Sequence, residues 1–250
     1  TRCLSDWSSD VCSSDLSGSM LQGTGRGGPT KLQAARTVVD EFVKSLTANR
    51  VGLVIFQSRS LVMSPLTLDR DALRATVRSL DTGLLPDGTA IGLGLADSLN
   101  LLRESDARSR VVVLLTDGQN NAGKVPPLTA AEAAQALGIK CYTIGVGTHG
   151  DAPWPYIDQF GRRLERMLPV DIDEDVLKKV SDKTGGKYYR ADNSETLRRI
   201  FTEIDQLEKP TAEVKKFQRF REFSHWPVAV GLAVLLLEIA LANTIWRKLP

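Results

Sequence analysis

A short run near the start of the chain, Asp15-Leu16-Ser17-Gly18-Ser19-Met20, combines residue types that can bind a small divalent cation. One carboxylate and two hydroxyls stand at alternate positions in a loop that turns tightly at Gly18. Oxygen ligands of this kind suit Mg²⁺ or Mn²⁺ rather than zinc. The run therefore predicts a metal site in which Asp15, Ser17 and Ser19 are ligands.

Two more oxygen-bearing residues stand where a sheet would bring them to the same place. Thr89 precedes a predicted helix, and Asp117 follows the apolar run 111–115 (VVVLL). Taken singly, Thr89 could cap the helix that starts at Ala90, and Asp117 could be a turn residue. Since ligands of open α/β sheets bind beyond the carboxyl ends of the strands, the set predicts one octahedral oxygen site: Asp15, Ser17, Ser19, Thr89 and Asp117.

The elements that must position these residues alternate along the chain. Apolar residues recur at helical spacing in 31–46, 69–80, 90–103, 129–137, 173–184 and 194–207. Short apolar runs predict strands at 51–56, 111–115, 141–146 and 187–190, with a weaker one at 61–66 that Pro65 assigns to a sheet edge. The order predicts an α/β fold, a doubly wound, mainly parallel sheet with helices on both faces, and an inserted irregular hairpin at about 151–170.

The first sixteen residues are unusual for the start of a domain. They are rich in Ser and Asp, show no apolar period, and contain DWSSDVCSSDL, which resembles the translation of a common sequencing-adapter oligonucleotide. The sequence therefore predicts that residues 1–16 are non-native and that the genuine protein begins near Ser17. Asp15 would then be present by coincidence, and the first strand of the sheet would be missing.

Residues 226–246 differ in kind from the rest of the chain. This run of 21 residues is apolar on all sides, has Trp at both ends and is close to the roughly 20 residues that cross a bilayer. It predicts a transmembrane helix, with 210–225 as a basic juxtamembrane segment and 247–250 as a tail; a buried core helix is the alternative. The excess of cations ahead of the span favours a cytoplasmic domain on the inner membrane.

The five predicted ligands resemble the metal-ion-dependent adhesion site (MIDAS) of the von Willebrand factor type A (VWA) domain. The first element is Asp15-x-Ser17-x-Ser19, the second is Thr89 in PDGTAIG, and the third is Asp117 in VVVLLTDGQNNAG. The resemblance implies a Rossmann-like VWA domain over 17–209, hydroxyls on the metal, and one coordination position open for an acidic residue of a protein partner.

A VWA domain followed by a basic segment and one apolar segment is similar to the bacterial aerotolerance-operon (Bat-type) membrane proteins. That likeness implies a membrane-anchored module linked to stress or aerotolerance in the bacterial inner membrane. It also implies other membrane VWA proteins and a MoxR-type AAA+ ATPase as partners.

Other functions have weaker support in the sequence. A metal-dependent hydrolase would need a base, and His149 and His225 cannot be placed beside the metal from sequence. We therefore predict no enzyme, with a purely structural subunit as a further alternative.

The glycine motif Gly23-x-Gly25-x-x-Gly28 lacks the preceding strand of a dinucleotide site. The net charge is only +2, and basic and acidic residues are interleaved along most of the chain, so the sequence gives no reason to expect nucleic acid as a partner.

Overall fold

The computed structural model describes residues 8–21, 29–46, 49–82, 84–147, 151–157, 163–169, 172–208 and 231–239. The chain divides into two compact units, Thr1–Pro210 and Thr211–Pro250. The first unit contains the sheet and the candidate site.

Strands and helices alternate through the first unit. The strands are β1 (Ser8–Asp15), β2 (Arg50–Phe56), β3 (Ser60–Thr67), β4 (Ser109–Thr116), β5 (Lys140–Val146), β6 (Asp151–Ile157), β7 (Arg163–Pro169) and β8 (Tyr188–Ala191). The helices are α1 (Lys31–Ser45), α2 (Arg70–Ser79), α3 (Ile91–Arg103), α4 (Pro127–Ala136), α5 (Glu174–Thr184) and α6 (Ser194–Glu208). A 3₁₀ turn, Gly18–Leu21, follows β1.

Six of the strands form one sheet in the order β3-β2-β1-β4-β5-β8. β3 runs antiparallel to β2, and the other neighbouring pairs are parallel. One apolar core contains side chains of α1, α2 and α6, and a second contains side chains of α3 and α4 together with Val180 of α5. The predicted doubly wound, mainly parallel sheet is confirmed, and the edge position predicted for 61–66 belongs to β3.

The prediction that the first strand is missing is wrong. β1 takes the central position and pairs in parallel with β2 from Ser9 to Asp15 and with β4 from Ser8 to Ser14. This pairing uses backbone N–H and C=O groups, which do not depend on side-chain type. A polar segment can therefore form the strand between the apolar strands β2 and β4. Excluding residues 8–15 from the fold was therefore also wrong. Residues 1–7 lie outside the described residues, and the origin of 1–16 remains a prediction.

Several β1 side chains are polar and buried, and most have found partners. Ser8 Oγ donates to Asp10 Oδ2 at 3.3 Å, and Asn49 Nδ2 donates to the same oxygen at 2.9 Å. Ser9 Oγ lies 2.8 Å from Ser105 Oγ. These contacts offset part of the cost of burying polar groups in the centre of a sheet.

Two segments outside the main sheet bear on earlier predictions. The segment predicted as an irregular hairpin contains β6 and β7, which pair antiparallel. In the second unit, residues 231–239 are helical, and the large apolar side chains among 232–239 are 51–63% exposed. Within the described residues, no helix has the length and apolar character needed to cross a membrane. Residues 209–230 and 240–250 lie outside the description.

Candidate metal centre

Asp15 is the last residue of β1, and its carboxylate is held from two sides. The side chain is fully buried. Its Oδ1 accepts a hydrogen bond of 2.8 Å from the Ser17 N–H, and its Oδ2 accepts one of 2.7 Å from Thr116 Oγ1 at the end of β4. The carboxylate is therefore oriented by both the loop that follows it and the neighbouring strand.

The two serines of the first loop lie next to each other and next to Asp117. The loop is anchored by Leu16 and Met20, both fully buried, and closes through a 3.0 Å hydrogen bond from Met20 N to Ser17 O. Ser17 Oγ and Ser19 Oγ are 2.8 Å apart, and Ser19 Oγ donates to Asp117 Oδ1 at 2.6 Å. Residues 98 positions apart thus meet at one edge of the sheet.

Thr89 lies in the loop that precedes α3 and is buried. The alternative that it caps the following helix is wrong, because α3 begins at Ile91 and Ala90 occupies the N-cap position without a side-chain hydrogen bond. A Cβ atom built on Gly118 would lie 3.3 Å from Thr89 Oγ1, so this hydroxyl is adjacent to the loop that carries Asp117. The structure therefore brings Asp15, Ser17, Ser19, Thr89 and Asp117 to the same edge.

Asn120 and Asn121 fix the Thr89 loop, and sequence reasoning missed both. Asn121 Oδ1 accepts from Thr89 N at 2.8 Å, and Asn121 N donates to Thr89 O at 3.1 Å. Asn120 Oδ1 accepts from Ile91 N at 2.9 Å, which satisfies a free N–H of the first turn of α3. Paired Asn residues just after a strand were the available signal, since Asn side chains commonly bond to backbone groups.

Gln57 is a second positioning residue that the sequence did not reveal. It follows β2 directly and is 2% exposed. Its Nε2 donates to Leu16 O, its Oε1 accepts from Leu85 N at 2.9 Å, and its own C=O accepts from Ala90 N at 2.6 Å. Gln57 thereby joins the first loop to the loop of Thr89.

Asp87 also supports the first loop. It is exposed, and its Oδ1 accepts from Gly18 N and from Gly88 N, each at 3.0 Å. This carboxylate therefore acts on the backbone of Gly18, the residue at which the loop turns.

Lys31 brings a positive charge into the centre, and no sequence pattern had singled it out. Its Nζ lies 2.8 Å from Asp117 Oδ2, and the two side chains are only 4% and 0% exposed. Lys31 is the first residue of α1, whose start is fixed by a capping box. Thr30 Oγ1 accepts from Gln33 N at 3.1 Å, and Gln33 Oε1 accepts from Thr30 N at 3.0 Å.

The centre disfavours unbalanced negative charge. Burial, and after it the charge of Asp117, raises the pKa of the Asp15 carboxyl well above its usual range, against the opposing effect of hydrogen bonds from Thr116 and Ser17. Two carboxylates that repel each other in this way are stabilised by a cation between or beside them.

The donor set fits a hard divalent cation. In the described residues, no group of three or more His, Cys, Asp or Glu side chains could hold a metal. The candidate centre instead combines two carboxylates with three hydroxyls, which matches Mg²⁺ or Mn²⁺ and is poor in the nitrogen and sulfur ligands that zinc prefers. The Lys31 ammonium beside Asp117 offsets part of the negative charge of this donor set.

The fold and the edge site define a VWA-like α/β protein, and comparison with known proteins agrees. Residues 14–119 match the profile of the von Willebrand factor type A domain. This part of the chain is therefore similar to VWA domains, and the chain resembles the Bat-type proteins. The crystal structure of BatB from Bacteroides thetaiotaomicron is 25% identical, with a TM-score of 0.66 over 81% of this chain and 99% of that one.

Two further structures share the fold. An aerotolerance-related membrane protein from Bacteroides fragilis is 24% identical, with a TM-score of 0.66 over 78% of this chain and 96% of that one. Proximal thread matrix protein 1 from the mussel byssus, solved with a zinc-occupied MIDAS motif, is 19% identical, with a TM-score of 0.60 over 81% of this chain and 46% of that one.

Curated relatives are also found among bacteria. An uncharacterized protein of Borreliella burgdorferi is 25% identical over 185 residues, which is 74% of this chain and 54% of that protein. A UPF0353 protein of Mycolicibacterium paratuberculosis is 29% identical over 193 residues, 71% of this chain and 54% of that protein. The chain thus spans about half the length of the curated relatives that it matches.

Proposed function

We propose that this VWA domain binds a divalent cation, Mg²⁺ or Mn²⁺, and through it an acidic residue of a protein partner. The ligands are Asp15, Ser17, Ser19, Thr89 and Asp117. The observation that carries the proposal is the 2.6 Å contact between Ser19 Oγ and Asp117 Oδ1, which joins the first loop to the loop after β4 beside a buried Asp15. A cation bound there would supply an electrophilic centre with room for an outside carboxylate.

The domain acts in this proposal as a binding module and not as an enzyme. The exposed Asp87 carboxylate, which could be considered as a catalytic base, is engaged with the N–H groups of Gly18 and Gly88. His149 and His225 lie outside the described residues. The zinc in the MIDAS motif of the mussel protein supports the ability of this fold to hold a divalent metal.

We further propose that residues 226–246 anchor the protein in the bacterial inner membrane, after a VWA domain that ends at about residue 209 and the basic segment 210–225. The apolar composition of 226–246 and the exposed apolar side chains of 231–239 support this anchor. We also propose other membrane VWA proteins and a MoxR-type AAA+ ATPase as partners, in stress or aerotolerance. Similarity to BatB and to an aerotolerance-related membrane protein supports the link to aerotolerance.

Titration calorimetry of the full chain with MgCl₂ and MnCl₂ tests the metal site. The Ser17→Ala, Ser19→Ala double variant should lose binding, because two hydroxyl ligands are gone. The matched control is Ser45→Ala, Ser79→Ala, since these hydroxyls bond to carbonyls of their own helices; it should bind as the unmodified protein does. Equal metal affinity in both double variants would overturn the site.

A second arm tests the partner chemistry. A Glu-rich peptide should bind the metal-loaded chain, and EDTA or replacement of Glu by Gln in the peptide should abolish binding. Peptide binding that ignores EDTA would refute the role of the metal, and hydrolysis of the peptide would refute the binding-module reading.

A further inference from the structure

Lys31 occupies a position at which a positive charge is unfavourable unless a partner compensates for it. Its side chain is 4% exposed, and burying an ammonium is unfavourable without a close partner. It also stands at the first position of α1, where the helix dipole disfavours positive charge, and the first turn of α1 holds no acidic residue. Pairing with Asp117 at 2.8 Å offsets these costs.

The ammonium competes for an oxygen that the metal site needs. Asp117 offers two carboxylate oxygens: Oδ1 accepts from Ser19 and Oδ2 accepts from Lys31. The capping box at Thr30 and Gln33 fixes the start of α1, so the Lys31 backbone stays beside the site. A divalent cation bound to Asp117 would also repel the ammonium, because both carry positive charge.

We propose that Lys31 is a built-in counter-cation of the site: it balances Asp117 while no metal is bound, leaves Asp117 when a metal enters, and so lowers the affinity for the metal. This inference rests on the proposed metal-binding function. Lys31 is a positioning residue and not a ligand. Its effect is to keep the metal-free site stable and metal binding reversible.

Calorimetry on the full chain tests the proposal with two substitutions. Lys31→Met keeps the length and apolar stem of the side chain but removes the charge, so it should bind Mg²⁺ and Mn²⁺ at least about tenfold more tightly than the unmodified protein. Lys31→Arg keeps the charge and should stay within about threefold of the unmodified protein. Unchanged or weaker binding by Lys31→Met would overturn the proposal while leaving the metal site intact. Absence of metal binding in every form would instead overturn the proposed function, and this inference with it.

A measurement on the unmodified protein covers the case in which Lys31→Met fails to fold. Reductive methylation followed by peptide mass spectrometry reports the accessibility of each lysine amine. Saturating Mg²⁺ should raise the modification of Lys31, because its ammonium leaves the buried contact, while the exposed Lys179 on α5 serves as the internal reference. Protection of Lys31 that is the same with and without Mg²⁺ would contradict displacement.

Discussion

Thr116 Oγ1 donates a 2.7 Å hydrogen bond to Asp15 Oδ2 across the boundary between the two central strands. Thr116→Val removes this donor but keeps the shape of the side chain, so a buried carboxylate loses a partner. We expect the free energy of unfolding to fall by about 2 kcal/mol and metal affinity to weaken. Urea unfolding and calorimetry measure the two effects. Thr76→Val, on the exposed face of α2, is the control, and equal behaviour of the two variants would show that Thr116 does not orient Asp15.

Gly92, in the first turn of α3 after Thr89, permits the close approach of α3 to the backbone of Val125. A Cβ atom at this position would lie 2.0 Å from the backbone oxygen of Val125. Gly92→Ala must therefore push the segment before α4 away, and we expect a loss of about 2–3 kcal/mol in the free energy of unfolding. At Gly52 the nearest atoms would lie at 3.4 Å, an ordinary contact, so Gly52→Ala should change stability much less. Thermal unfolding of both variants measures the difference. A smaller loss of stability in Gly92→Ala than in Gly52→Ala would contradict this account.

Two serines of β1 should respond in opposite directions to loss of the hydroxyl. In the described part of the chain, Ser13 Oγ is buried and has no hydrogen-bond partner, whereas Ser9 Oγ lies 2.8 Å from Ser105 Oγ. Ser13→Ala should stabilise the protein by about 1 kcal/mol, and Ser9→Ala should destabilise it by a similar amount. Chemical unfolding of each variant measures the difference. A Ser13→Ala variant less stable than Ser9→Ala would mean that Ser13 has a partner in solution.

Asp10 should make stability depend on pH. Burial raises its pKa from 3.8 to about 7, although hydrogen bonds from Asn49 and Ser8 lower it in part. Between these pH values the folded state keeps a proton that the unfolded chain has lost. The free energy of unfolding should therefore decrease as the pH rises from about 4 to about 7, by about 4 kcal/mol in all from this group.

Asp10→Asn isolates that contribution, because other titrating groups cancel in the difference from the unmodified protein. The variant should be the more stable form at pH 8, and its advantage should vanish near pH 4. A constant difference between Asp10→Asn and the unmodified protein at all pH values would exclude a raised pKa.

The elements with local signals were predictable from sequence. Asp69 caps α2, with its Oδ1 accepting from Ala72 N at 3.0 Å, and α5 ends at Gly185 with a φ of 75°. These features depend on residues within one turn of the chain, so periodicity and capping rules reach them.

Features that depend on distant partners were not predictable in this way. β1 looked unlike a central strand because its side chains are polar, yet its backbone completes the ladders of β2 and β4. Gln57 and Asn121 form hydrogen bonds with backbone groups of other loops. The role of Lys31 depends on its ion pair with Asp117, which lies 86 residues away in the sequence. Residue types and spacing identified the five candidate ligands but could not show what holds them in place.

The central position of β1 also has a consequence for the order of folding. Asp15 and Thr116 are 101 residues apart, and Asp15 reaches its final surroundings only when both flanking strands have formed. Contacts of such long sequence separation close late and slowly. A metal that needs Asp15 and Asp117 together would bind the completed sheet and not its precursors. At a free concentration of 100 times its Kd it would then stabilise the folded state by about 2.7 kcal/mol.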